Sequence, residues 1–446
     1  MTDLKTPTAP PPPPPAMRPP KPVIPGKIGA AFLIALVLLL GVNGGWSMLV
    51  VVLSLALVIT LHELGHFLTA KWAGMKVTQF FLGFGPTLWS THRGETEYGF
   101  KLIPAGAFVR IIGMHNLDQL DDVADEPRSY RQADFHKRLI VVSAGSAMHF
   151  LIAFMAIWSL LVFHGGPGGR LFGDPVFSTT WTVNTVEEGS AAANAGLQPG
   201  DRVRAIDGQT GATFEDIRRL IQAKPDQPVT LTVERGSDTI NLTTTLGKNG
   251  DGKGFLGVAP KDLFAPTEKV GALSAVPRTF EQFSAVAVQS IQGIGTLFSP
   301  SGLSDLASDV SNGSNPDQGP VVSAPGQPPT TQPSSGSSDQ DRVHSIIGIT
   351  QIGSDLTSEG WAGLAAFLVV INVFFGIFNL LPFLPFDGGH VAVAIYEKIR
   401  SMMQGGRRYY ADFAKLLPIT YAVVALLVFV GFSSMYLDIV RGTSLQ

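Results

Sequence analysis

The sequence predicts a membrane α-helical fold of four core transmembrane helices plus one extra N-terminal span. A membrane-associated β-hairpin and an inserted extracytoplasmic α/β domain complete it. Three observations lead there. Apolar residues make up 45% of the chain and charged residues only 15%, and the mean hydropathy is +0.24. The apolar residues gather into runs of membrane-crossing character: Ile28–Val42, Trp46–Leu61, Leu139–Phe163, Trp361–Phe383 and Leu416–Phe432. Between the third and fourth runs lies a long stretch with the alternation and turn residues of a folded unit. The net charge of −3 gives no footprint for a nucleic-acid partner. Cysteine is absent, so disulfides are excluded and a metal would have to be held by His, Asp or Glu.

In chain order, residues 1–27 form a Pro-rich tail, unbroken from Pro10 to Pro15 and carrying Lys5, Arg18, Lys21 and Lys27, which is expected to be disordered. Residues 28–43 read as the extra span and 46–75 as the first core span, parted by Asn43-Gly44-Gly45. A signal peptide competes for this start, but a long basic tail precedes the run and no clear cleavage site follows. Residues 138–164, 361–390 and 414–434 supply the other spans, with 113–137 and the amphipathic 391–412 as cytoplasmic segments. Lys and Arg crowd the stretch from Lys71 to Arg138 and recur from Lys398 to Lys415. The positive-inside rule therefore places those segments in the cytoplasm and Gly165 to Glu359 outside the cell.

Within 76–112, Val77–Trp89 and Tyr98–Ile111 are rich in aromatic and apolar residues and flank the turn-like His92-Arg93-Gly94-Glu95. A β-hairpin with bends at Gly83, Gly85 and Pro104 is expected, either dipping into the bilayer edge or packed on itself. Residues 177–262 alternate like a mixed α/β unit, with helices at Ser190–Ala195 and Phe214–Gln222. Its strands are Arg202–Ile206, Val229–Glu234 and Thr239–Thr245. In 272–298, Phe280, Phe283, Ala287, Ile291, Ile294 and Phe298 recur at helical spacing, as in an amphipathic helix lying on the outer membrane surface or packed on the α/β unit. Residues 299–342 form a Ser/Pro-rich insertion expected to be disordered.

The chemistry concentrates at His62-Glu63-Leu64-Gly65-His66. Histidines at i and i+4 share one helical face and can ligate one ion, with Glu63 beside them to take a proton from water. The motif ends an apolar run, where ionisable groups are costly unless they serve a site; a metal-free pair of interfacial histidines is the plain alternative. A tetrahedral zinc needs one more protein ligand. Asp387, in Asn379-Leu380-Leu381-Pro382-Phe383-Leu384-Pro385-Phe386-Asp387-Gly388-Gly389-His390, is the candidate, with His390 competing. Pro382 and Pro385 break the helix there and let the Asp turn inward. Asn372 lies on the same helical face as Asn379, and either amide could instead bond between helices.

These motifs together resemble the site-2 protease family, in particular the bacterial RseP-like regulated intramembrane zinc metalloproteases. The phrase from Gly189 to Asp201 with Ile206-Asp207-Gly208 resembles the bacterial PDZ signature, one such domain lying between the two metal motifs. The resemblance implies Zn2+ held by His62, His66 and Asp387, with Glu63 as general base and Asn379 holding substrate or the oxyanion. Asn372 joins the expected substrate-binding set. Phe81-Leu82-Gly83-Phe84-Gly85-Pro86 resembles the family's membrane-re-entrant β-loop, which implies substrate pairing around Phe81, Gly83 and Gly85. It further implies transmembrane segments of single-span proteins as substrates, either anti-sigma factors or signal-peptide remnants. A peptide or new C-terminus would meet the PDZ domain, in the plasma membrane of a bacterium with the active site toward the cytoplasm. Where the family shows Gly-Pro-x-x-Asn, this chain reads Gly145-Ser146-Ala147-Met148-His149. A non-proteolytic PDZ scaffold binding envelope peptides and a metal transporter are the rival functions. The first leaves the His, Glu and Asp residues unexplained, and the second expects charges on more than two spans.

Overall fold

The structure is a computed structural model that describes residues 26–114, 118, 120, 122–172, 176–312, 346–358 and 360–441. The Pro-rich tail and most of the Ser/Pro-rich insertion lie outside the described residues. Helix α1 (Gly26–Trp72) is interrupted at Gly45, whose φ of 74° only glycine adopts readily. The backbone before Gly45 is helical, but nearly all side chains of the extra span expected at 28–43 lie outside the described residues. Among the described residues four helices are long and apolar enough to cross a membrane: Gly45–Trp72, Phe135–His164, Trp361–Phe378 and Leu417–Leu437.

After α1 come β1 (Val77–Arg93) and β2 (Thr96–Ile111). They form more than a hairpin. The first half of β1 pairs on both sides, Phe81 facing Phe108 across one ladder and Gly99 across the other, while its second half pairs Thr91 with Tyr98. Each strand is folded back near its middle, so two strands make a sheet four segments wide. The bends follow from glycine: Gly83 (φ 88°) and Gly85 (φ 85°) take left-handed backbone. A Cβ on Gly83 would also stand 2.6 Å from the Ile103 carbonyl oxygen. The sequence marked the bends, but alternation says nothing about which half meets which.

Helix α2 (Phe135–Ser159) continues in a wider π turn, Leu160–His164. The chain then enters the inserted domain through a narrow neck, where Gly166–Pro167 pairs with Thr267–Glu268. That domain contains β3 (Thr182–Val186), α3 (Ala191–Ala195), β4 (Arg202–Ile206), α4 (Phe214–Gln222), β5 (Pro228–Arg235), β6 (Asp238–Thr245) and β7 (Val258–Lys261). Strands β4, β5 and β6 are neighbours, with Gln209–Thr210 beyond β4, while β7 closes on β3. Trp181, Val203, Ile206, Ile217, Leu231 and Val233 fill a core of its own. A capping box at Thr213 and Asp216 starts α4.

Helix α5 (Ala272–Leu297) packs on α2 and on α8 (Trp361–Phe378), rather than on the α/β core. Phe280 lies 4.8 Å from Phe154 and Phe283 lies 5.6 Å from Phe150, ring to ring. Two helices stand where no helix was expected. Helix α6 (Pro300–Asn312) occupies the first residues of the insertion, because Leu303, Leu306 and Val310 recur at helical spacing and cover α10 (Leu417–Arg441) at Val430 and Leu437. Helix α7 (Ile346–Ser358) packs near Val51 and Phe367. The span expected at 361–390 stops at Phe378, and α9 (Asp387–Met403) begins after a turn containing Pro382 and Pro385. Proline supplies no N–H and clashes with the preceding helical turn, so the helix cannot continue.

Candidate metal centre

His62 and His66 project from the last turns of α1, and Asp387 opens α9 at the near end of α8. Residues distant in the chain thus meet at one level of the helical bundle. The Nε2 atoms of the two histidines are 3.2 Å apart. The Asp387 Oδ2 lies 3.4 Å from that of His62 and 3.2 Å from that of His66. Among the described residues these three form the group able to hold a metal. His66 Nδ1 donates to the Val141 carbonyl oxygen at 2.7 Å, which leaves Nε2 with a lone pair directed at the others. Acceptor atoms crowded this closely repel unless a cation lies among them. A tetrahedral zinc with bonds of about 2.0–2.2 Å sets its ligand atoms about 3.3–3.6 Å apart, so the set fits that ion.

Close packing builds this cluster. A Cβ on Gly145 of α2 would fall 2.4 Å from both His62 Cε1 and His66 Nε2. One on Gly65 would fall 2.7 Å from the Ala144 oxygen, so α1 and α2 touch backbone to backbone beside the histidines. At the other partner, a Cβ on Gly388 would meet the Leu380 oxygen at 2.2 Å, and one on Gly389 the Leu384 nitrogen at 2.5 Å. The Gly388 N–H donates to the Asn379 oxygen at 2.7 Å and closes the turn that delivers Asp387. Gly145 carries no chemistry; its match to the first residue of the family's Gly-Pro-x-x-Asn pattern and its place one helical turn before His149 are the signals that point to it.

Glu63 sits beside the cluster, and its Oε2 accepts the Val109 N–H of β2 at 3.0 Å. The sheet therefore touches the carboxylate directly, a contact that no local pattern announces. Asn379 caps the end of α8, and its side-chain amide has no hydrogen-bond partner among the described residues. Asn372 is buried and committed: Oδ1 accepts from His149 Nδ1 at 2.9 Å and Nδ2 donates to the Leu368 oxygen at 2.7 Å. His149 reaches the site, its ring 4.9 Å from that of His62. His390 lies one turn beyond Asp387, its ring 6.1 Å from Phe413, and is not in the metal group. Phe81 is buried against Phe108, while Gly83 and Gly85 form the bend of β1.

The sheet is clamped to α1 by charge. Glu95 in the β1–β2 turn bonds Lys71 at 2.5 Å and Arg128 at 2.8 and 2.9 Å. The Arg128 guanidinium, helped by Lys71, holds the Glu95 carboxyl down to about 2. Deeper in, Arg138 of α2 bonds Glu397 of α9 at 2.6 Å, and both side chains are nearly buried.

Residues 50–319 and 329–429 match the family described as Peptidase family M50. The chain is 32% identical over 408 residues to the zinc metalloprotease Rip1 of Mycobacterium tuberculosis, covering 85% of this chain and 94% of that one. It is 31% identical over 408 residues to Rip1 of Mycolicibacterium smegmatis, with the same coverage. A PDZ domain of an SdrC-like protein from Listeria monocytogenes is 21% identical, with a TM-score of 0.17, covering 21% of this chain and 94% of that one. The extent of these matches places the chain in peptidase family M50, and it is a site-2-type zinc metalloprotease.

Proposed function

We propose that this protease cuts transmembrane segments of single-span proteins at bilayer depth, with His62, His66 and Asp387 holding the zinc and Glu63 as general base. The single observation that carries this reading is the triangle of ligand atoms 3.2–3.4 Å on a side, drawn from both ends of the chain. When bound, zinc polarises water and the scissile carbonyl toward each other. Glu63 accepts the proton of the attacking water and returns it to the leaving amide nitrogen. Its hydrogen bond from Val109 holds the carboxylate against the sheet while it does so. The unpartnered amide of Asn379 is available to donate to the developing oxyanion. His149, oriented by Asn372, walls the site on the α2 side.

A helical substrate hides its own carbonyls in hydrogen bonds and must unwind before it can react. The outer segments of the folded sheet, 87–93 and 107–111, would take an extended strand along their free edges, and Val109 on the second of these already donates its N–H to Glu63. Five spans, counting residues 28–43, put the metal near the cytoplasmic face of a bacterial plasma membrane and the PDZ-like domain outside. At the neck that domain can turn away substrates with bulky external parts or bind a trimmed C-terminus, as regulated intramembrane proteolysis requires. Anti-sigma factors and signal-peptide remnants are the substrate classes of that kind. The test is Glu63→Gln in full-length protein: one zinc per chain retained, cleavage lost, and uncut membrane proteins co-purifying. Cleavage by this variant would overturn the assignment of the base.

A further inference from the structure

Helix α9 carries Asp387 at its first residue, yet most of its length serves no purpose in the metal centre. One side is buried, with Val393, Ala394 and Glu397 turned inward. On the other side Ile395, Ile399, Met402 and Met403 recur at three- and four-residue spacing, and all four are exposed, Met403 by 71%. By helical period Lys398 and Arg400 fall on the two flanks of this apolar stripe. Arg407 follows in the exposed loop beyond it. None of these three cations has a carboxylate partner among the described residues; Lys398 and Arg407 are exposed, whereas the Arg400 guanidinium lies 5.3 Å from the centre of the Tyr409 ring with its Nε buried.

The depth of this face is fixed by its neighbours. Arg408, just past the helix, donates to the Gln132 oxygen at 2.9 Å, three residues before α2 begins at Phe135. The chain then runs directly into α10 at Leu417. The exposed stripe therefore lies where two membrane-crossing helices start, at the boundary of apolar chain and headgroup. An apolar face there, rimmed by cations, matches a bilayer surface whose headgroups are anionic: the side chains enter the acyl boundary while Lys and Arg reach phosphate.

We infer that the outer face of α9 is a docking surface for anionic phospholipid, with Lys398 and Arg407 as headgroup contacts and Ile395, Ile399, Met402 and Met403 as acyl contacts. Through α9 the charge of the membrane surface acts on the helix that presents Asp387. The inference rests on α2 and α10 crossing the membrane and not on the roles proposed for the metal centre, so its test reads lipid and not cleavage.

Native mass spectrometry of the full-length protein in detergent, with phosphatidylglycerol or phosphatidylcholine added, provides that test. The natural sequence should retain phosphatidylglycerol in preference. Lys398→Gln/Arg407→Gln, which alters only exposed side chains, should lower that retention about fivefold for each charge removed. Met402→Ser/Met403→Ser should lower retention of both lipids. Equal retention of the two lipids by the natural sequence, or an undiminished preference in the Lys398/Arg407 variant, would overturn the inference. So would complete displacement of phosphatidylglycerol by inorganic phosphate, because the apolar stripe would then contribute nothing.

Discussion

The metal centre and the PDZ-like domain solve the problem of specifying a structure in opposite ways. The domain is contiguous in sequence, all its ladders lie within that one stretch, from the β5–β6 hairpin to β7 closing on β3, and its core is filled by its own strands and helices. The metal centre has no core of its own. It exists where α2 meets the histidines of α1 at Gly145 and where the turn at 380–384 folds against the start of α9 at Gly388 and Gly389, each place too tight for any residue but glycine. A covalently local unit absorbs a defect by rearranging within itself. A site assembled from remote pieces passes any displacement straight to its ligands.

The strongest way to break this contrast is Gly145→Val. The added carbons must push both histidines, so zinc content should fall well below one per chain and cleavage should drop by at least ~10²-fold. Thermal unfolding of the PDZ-like domain should not change. Full zinc occupancy, measured by elemental analysis of the purified protein, would show that close packing is not what sets the ligands. Next in size is Arg138→Met, which leaves Glu397 buried with the Ala411 N–H but without its counter-ion and should cost about 3–5 kcal/mol. Arg138→Met/Glu397→Leu should recover most of it, as read by thermal denaturation in detergent.

Leu231→Ala sharpens the comparison from the other side. It empties part of the domain core and should destabilise that domain by about 2–5 kcal/mol. Zinc content should hold, and hydrogen exchange should report the loss in β5 and β6 but not in α1. Thr213→Ala removes the α4 cap, at a cost of about 1 kcal/mol seen in the same exchange profile. The smallest effect concerns the Glu95 clamp. Its folded pKa lies below the ordinary carboxylate value, so its contribution is fully present above that value and is lost as pH falls toward about 2. Protection of the β1–β2 turn should thus be unchanged at neutral pH and fade only in strong acid. Fading near pH 6 would mean that the ion pairs do not hold the turn.

The two regions were unequally legible. Strand β4 and helix α4 can be read from alternation, turn residues and a cap, because their stabilising contacts lie within a few dozen residues. In α1, the spacing of His62, Glu63 and His66 is that of a candidate metal face. The choice between Asp387 and His390 did not follow from spacing, since either could be delivered by a broken helix; the turn closed by Gly388 and Asn379 turns the aspartate inward. The double pairing of β1 and the hold of Val109 on Glu63 were hidden for a related reason. Each depends on a partner from another part of the chain, whereas composition and period describe one segment at a time.

By itself the sequence determined which segments are apolar enough to cross a membrane, which stretch carries the pattern of a separate α/β unit, and which side chains can hold a metal. Tertiary structure decided which of them meet, because a ligand set shared by α1 and α9 is specified by steric contacts at glycines and buried pairs that no periodicity encodes. Local physics selects the parts, and close approach selects their neighbours.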